Sequence, residues 1–533
     1  MAPITRTCSA VAGAALLAAL AAGPALANTA PESLAAYVRG RAADGDGRNA
    51  QAAADFARAL QAEPDNGVIA IRAYRAALDT GDTALERRAR AVLEKADVAP
   101  GDAALLALAD ALAAGDAPAV RAATARISTG PIDFLAPMVR AWLAFGDDPA
   151  RALALIEAVP PRSIGARYAQ ESRALLLLAA GRTREATIAL DTLLAGQDDA
   201  TVLRWAAARL LAGQGRDREA AVLKPARGSA VPGAKADARF GISRLFLALA
   251  RDLAGDETAA LAIVLARAAH RLAPDDGQTR IVLAEALGRD GATTSALAEL
   301  DGIAAADPAH AEAQIARIDL LRRSGETARA QAIAASLSAA PGAGADDAQR
   351  NGELLMAADR PADAARAFAL AIDRAGGAAG WALYLQAGSA HDRAGNWRAA
   401  LPLVRKAVAL APDQAIALNY LGYSLLEHDG DVAEATRLLE RAAALKPGNS
   451  AILDSLAWAY FRSGDAARAL PLLERAAQDE PADATIGEHL GDAYWQLGRR
   501  YEARYAWAAA GQVAPRDDAQ RIAAKISDGL AVD

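Results

Sequence analysis

Along the whole chain apolar residues recur at i, i+3, i+4 and i+7, whereas the apolar-polar alternation of a half-buried strand persists nowhere beyond a few residues. The pattern predicts helices from end to end. Those helices repeat in register. Pro447, Pro481 and Pro515 lie 34 residues apart, and Gly430, Gly464 and Gly498, Ala435, Ala469 and Ala503, and Ala442, Ala476 and Ala510 keep the same step. Four columns sharing one period indicate a single helix-turn-helix unit used repeatedly. Each column has a mechanical reason. Small residues let helix backbones approach closely, glycine ends the first helix through a left-handed cap, and proline stops the second because it lacks an amide donor.

With Ser450 as position 1, Leu453, Leu456, Ala457, Tyr460, Gly464, Ala469, Leu473, Ala476 and Pro481 fall at positions 4, 7, 8, 11, 15, 20, 24, 27 and 32. With Ala484 as position 1, Leu490, Gly491, Tyr494, Gly498, Ala503, Trp507, Ala510 and Pro515 follow, and only Gly487 departs, at position 4. These residues resemble the tetratricopeptide repeat. The resemblance implies an all-α fold, an α-solenoid in which tandem helix-turn-helix hairpins form a right-handed superhelix. Upstream, the same frame starts units at Trp381, at Ala415 (lengthened around Asp429 and Gly430), at Gly277, Ala311 and Ala345, and again at Ser33, Arg167 and Thr201. About fourteen units are expected. The chain then divides into a signal segment 1–27, degenerate repeats 28–221, a loop or hinge 222–240, middle repeats 241–378, well-defined repeats 381–517, and a capping helix with tail 518–533. A polar final helix would hide the last apolar face of the stack.

Composition narrows the class. At 533 residues the chain is too long for one core, and its 53% hydrophobic content is carried by alanine and leucine, with aromatics at only 5%. Residues 1–27 have an export-signal layout: Arg6, an apolar run from Ala10 to Ala22, and a small-residue cleavage site at Ala25 and Ala27. The single cysteine, Cys8, precedes that run, so it is not placed as a lipid acceptor and leaves with the signal. These features predict a periplasmic protein. A net charge of −7 without long single-sign blocks argues against nucleic acid, and no later apolar stretch is long enough for an integral membrane segment. His270, His310, His391, His428 and His489 are scattered, His391 on a core position and His428 and His489 at surface or groove places. No zinc, Walker or nucleophile-elbow motif occurs, so no metal, no cofactor and no catalysis are expected.

A partner surface is the remaining candidate. In the resembled family the first helix of each hairpin faces the ligand through positions 2, 5, 9, 12 and 13. Mapped here, these select Asn419, Tyr423, Asp454, Trp458, Phe461, Glu488, Asp492 and Trp495. The repeat's own packing does not require large aromatics there, so they form either a binding stripe or packing inside the superhelix. Tyr460, Tyr494 and Trp507 occupy core columns instead, and Trp397 a turn. The lysine and asparagine clamp that some family members use for chaperone C-termini is absent, because its places hold Leu385, Ser389, Asn419, Tyr423, Asp454 and Trp458. Residues 418–423, 453–458 and 489–495 resemble exported Gram-negative members of the family, some of them adaptors for a periplasmic processing protease. The resemblance implies a periplasmic scaffold that holds a protein or extended peptide, with an envelope protease or export machinery as partner. A scaffold for polysaccharide export or envelope assembly is the alternative.

Overall fold

The computed structural model describes residues 29–195, 201–223, 231–253 and 255–530. The signal segment and residues 224–230 of the expected loop or hinge lie outside the described residues. Two compact units are present, Met1–Gly325 and Glu326–Asp533. Among the described residues every regular element is helical.

Unit 1 begins with six hairpins: α1/α2 (Thr29–Gly45, Asn49–Ala62), α3/α4 (Gly67–Thr80, Thr83–Lys95), α5/α6 (Ala103–Ala114, Ala117–Thr129), α7/α8 (Ala136–Phe145, Pro149–Glu157), α9/α10 (Ala166–Ala179, Thr183–Ala195) and α11/α12 (Thr201–Gly213, Asp217–Leu223). It continues with α13 (Ala238–Asp252), α14 (Ala259–Leu272), α15/α16 (Gly277–Arg289, Thr293–Asp301) and α17 (His310–Arg323). Unit 2 holds α18 (Thr327–Ala339), then the hairpins α19/α20 (Ala345–Ala357, Pro361–Ala375), α21/α22 (Trp381–Arg393, Trp397–Leu410), α23/α24 (Ala415–Glu427, Val432–Leu445), α25/α26 (Ser450–Arg462, Ala466–Asp479) and α27/α28 (Ala484–Gln496, Arg500–Val513), and ends with α29 (Arg516–Asp528). The frame's unit starts at Ala345, Trp381, Ala415, Ser450 and Ala484 are the first residues of α19, α21, α23, α25 and α27.

Two local devices make these hairpins. The turn between the helices needs a left-handed residue, supplied by Gly464 (φ 84°) and Gly498 (φ 80°). Gly47, Gly81 and Gly115 take the same conformation, so the degenerate N-terminal stretch uses the same turn. The second helix is started by a side-chain cap, as where Asp465 accepts from the Arg468 amide at 3.1 Å. Within a hairpin the small residue at position 8 sits under the large one at position 24. A Cβ on Gly352 would lie 2.7 Å from the Phe368 ring, and one on Gly422 would lie 2.6 Å from Leu439. At Gly491 it would fall inside the fully buried indole of Trp507. Alanine there gains about 1 kcal/mol of helix propensity but overpacks a rigid ring at about 3 kcal/mol. Gly491→Ala is therefore expected to lower stability by about 2 kcal/mol in urea denaturation.

In unit 1 the frame predicts middle repeats stacked in series from residue 241, and the structure differs. α13 packs against α5, α7, α9 and α11, and α14 against α3 and α5, so this pair lies on the face formed by the first helices of the N-terminal hairpins. The reason is compositional. Residues Phe240 to Ala250 of α13 are buried without interruption; all but Ser243 and Arg244 carry no polar side chain, and these two are bonded inside the core to the Ala269 carbonyl and to Asp276, so the helix can be enclosed on every side. Gly241 rests directly on the Trp142 indole, where no side chain would fit. α14 also brings arginines into that face: Arg267 Nε donates to the Leu78 carbonyl at 2.9 Å, and Arg271 reaches Glu86 at 2.7 Å. One core therefore runs through unit 1, while unit 2 carries a succession of smaller clusters between neighbouring hairpins.

Candidate functional site

The first helices of the unit 2 hairpins, α21, α23, α25 and α27, together with α29, are joined by a ladder of polar contacts. Asp392 on α21 binds His428 Nε2 at 2.6 Å and accepts from Tyr420 Oη at 2.9 Å. Trp458 Nε1 on α25 donates to Glu427 at 3.2 Å. Asp454 on α25 binds His489 Nδ1 on α27 at 2.9 Å. Lys525 on α29 bridges Glu488 and Asp492 of α27, at 2.6 Å to each, and Arg521 also reaches Glu488. Repetition of the backbone produces the ladder, because residues about one repeat apart on successive first helices stand beside one another.

Each candidate residue can now be located. Trp458 lies flat between two rings, His489 at 4.0 Å and Phe461 at 5.0 Å between centroids. Tyr423, Trp458 and Phe461 are half-buried. Asn419 lies one turn before Tyr423, and its Oδ1 is buried without a hydrogen-bond partner. Trp495 stands apart from this group: it packs on Trp507 at 5.3 Å, with the Arg500 guanidinium 3.8 Å above its ring. The acids are not displayed around an open stripe. Asp454, Glu488 and Asp492 are buried. The physical reason is that a buried carboxylate needs a counter-charge, and His489, Arg521 and Lys525 supply it from within the chain.

Reasoning from the repeat frame missed His489 as a buried partner and the two cations of α29. A signal existed: Arg521 and Lys525 each follow a candidate acid by 33 residues, the same kind of offset that joins Asp454 to His489. Trp397 does not merely pack in its turn, for it stacks on His428 of the next hairpin at 4.5 Å.

Burial pulls the His489 imidazole down, but Asp454, with Asp492 and Glu488 behind it, outweighs that and holds it above 6.5. Asp492 is pushed up by burial despite Lys525 and the Trp507 N–H. A histidine raised in the folded state adds stability that is fully present below its unfolded value and lost as pH rises through the folded one. The unfolding midpoint of the wild-type chain is thus expected to fall as pH climbs above about 6.5. In His489→Gln that part of the slope should vanish; a slope unchanged by the substitution would refute the pairing.

Among the described residues no group of three or more histidine, cysteine or acidic side chains could hold a metal, and no helix is long and apolar enough to cross a membrane. Residues 385–450 and 455–519 match the Tetratricopeptide repeat family. A TPR repeat-containing protein of Pseudomonas aeruginosa is 42% identical over 59 residues, 11% of this chain and 10% of that protein. Solved structures similar to the chain include YrrB, a TPR protein with an unusual peptide-binding site (20% identity, TM-score 0.29, 33% of this chain and 89% of that one). MamA protein (21%, TM-score 0.27, 36% and 97%) and a thermophilic TPR protein of Thermus thermophilus (20%, TM-score 0.30, 35% and 100%) are further examples. With their period of 34, their glycine turns and their paired helices, residues 385–519 of the chain form tetratricopeptide repeats.

Proposed function

We propose that the protein is an exported periplasmic scaffold that holds an extended segment of a partner protein on the first-helix face of unit 2. Proteins of this family bind proteins or peptides; the finer reading is ours. The observation that carries it is the set of half-buried aromatics Tyr423, Trp458 and Phe461 beside Asn419. Flat aromatic faces supply much of the contact energy at interfaces. Unit 1 is the poorer candidate because α13 and α14 already cover its first-helix face. Export rests on the layout of residues 1–27, and an envelope protease or the export machinery is the partner class that the likeness of the last hairpins to Gram-negative adaptors favours.

Crosslinking in intact cells followed by mass spectrometry tests both parts. The expected result is one dominant periplasmic partner, recovered at least about tenfold less with Trp458→Ala while helicity is retained. Equal recovery with the variant would remove this face from the reading, and a chain found in the cytoplasmic fraction would remove export.

A further inference from the structure

We propose that the second helices of the last two hairpins form a separate binding site for an extended, proline-containing peptide carrying a basic residue. A hollow of about 530 Å³ opens between α26, α27 and α28, within the size range of small-ligand pockets. Gly487 lines it at position 4, the place where Leu418 and Leu453 fill the two preceding hairpins. A Cβ on Gly487 would lie 2.9 Å from Ala510 Cβ, so the glycine lets α27 and α28 approach closely beside the hollow.

Tyrosines stand around the gap. Tyr501 and Tyr505, one helical turn apart on α28, are 83% and 74% exposed, and Tyr494 lines the hollow from α27. In the preceding hairpin the equivalent places hold Ala467 and Pro471, so the repeat itself does not demand aromatic rings here. Two large rings held in water for no packing reason are best explained by a ligand that covers them.

The chemistry of the hollow selects among ligands. Its floor, Leu490, Ala506 and Ala510, offers no polar side chain. A sugar would leave hydroxyls unpaired against that floor, whereas proline rings pack flat on tyrosine faces. A polyproline helix has no internal hydrogen bonds, so its carbonyls are free to accept from tyrosine hydroxyls at the rim, and its stiffness lowers the entropy cost of binding. Charge adds the second element. Asp483 and Glu502 line the hollow, and Asp479 and Glu480 are exposed beside Pro481. Glu502 is itself paired at 3.0 Å with Arg499, whose guanidinium also lies 4.4 Å over the Tyr494 ring, and Asp483 caps α27, so the negative charge open to a ligand is that of Asp479 and Glu480. The rim therefore favours an incoming arginine or lysine.

Isothermal titration of the full chain with a synthetic hexaproline peptide flanked by one arginine tests the proposal. Saturable binding is expected, weakened at least about tenfold in the Tyr501→Ala, Tyr505→Ala double variant and by replacing the flanking arginine with glutamine. Both tyrosines are exposed, so the double variant should keep its helicity and unfolding midpoint. Trp458→Ala should bind the peptide as wild type does, which separates this site from the first-helix face proposed above. No saturable binding, binding indifferent to the double variant, or preference for maltohexaose over the peptide would overturn the proposal.

Discussion

Asp276→Ala is expected to destabilise unit 1 by about 3–5 kcal/mol, the range for stripping the partner from a buried charge. Asp276 lies just before α15 and receives four donors: Arg209 Nη1 at 2.6 Å, Arg244 Nη2 at 2.8 Å, Trp205 Nε1 at 3.2 Å and the Gln278 amide at 3.1 Å. The burial that would raise its carboxyl is outweighed by the two guanidinium groups, which hold it below the ordinary range. Arg244 is itself buried, and its Nε and Nη1 have no hydrogen-bond partner, so Asp276 compensates an arginine that is already under-satisfied. Alanine would leave two guanidinium groups facing an apolar interior and would also remove the cap of α15. Urea denaturation followed by circular dichroism measures the loss. Hydrogen exchange should show protection falling across α11, α13 and α15 together. A change under about 1 kcal/mol would mean that water reaches Arg244 and that the cluster is not the closed ion pair described.

Lys525→Glu is expected to have a comparable effect at the other end of the chain, about 3–5 kcal/mol. Glu488 and Asp492 are buried, and Lys525 lies between them, itself largely covered. Reversing its charge places three carboxylates together. Besides Arg521 on Glu488, α29 is held by Ile522, its one fully covered apolar side chain, by the partly buried Ile526, and by the Arg504 bond to the Ile526 carbonyl at 2.9 Å. Hydrogen exchange on the full chain should therefore show α29 released first and α27 and α28 losing protection with it, because the Trp507 indole, bonded to Asp492 at 2.9 Å, is on the same network. Lys525→Met should be milder, since Asp492, already pushed up by burial, can take a proton as pH falls. If α29 stayed protected in Lys525→Glu, the ion pairs would not be what seats it.

The two substitutions bear on how a repeat protein manages its exposed ends. A stack of hairpins always leaves one apolar face uncovered at the last unit. Here the polar helix that covers it is fastened by charges complementary to acids on the first-helix face. Those acids, Glu488 and Asp492, fall at the positions that a solenoid offers to a ligand, so nothing in the repeat frame distinguishes them from partner-binding residues. Their burial became visible only once Arg521 and Lys525 were placed. Trp458 was similarly ambiguous: its ring is half-buried because His489 and Phe461 flank it, yet it remains accessible enough to serve a partner.

By itself the sequence determined the helices, their pairing into hairpins, the turn glycines and the small-against-large contact exemplified by Gly491 and Trp507. All of these are settled within about one 34-residue repeat, where local backbone preference and steric fit leave a single arrangement. Only the tertiary structure decided that α13 and α14 turn back onto the N-terminal hairpins, with Arg267 bonded to Leu78 across 189 residues, and that three candidate acids are neutralised from within. Contacts so distant in sequence depend on which apolar faces remain uncovered after the hairpins form, and no periodicity records that.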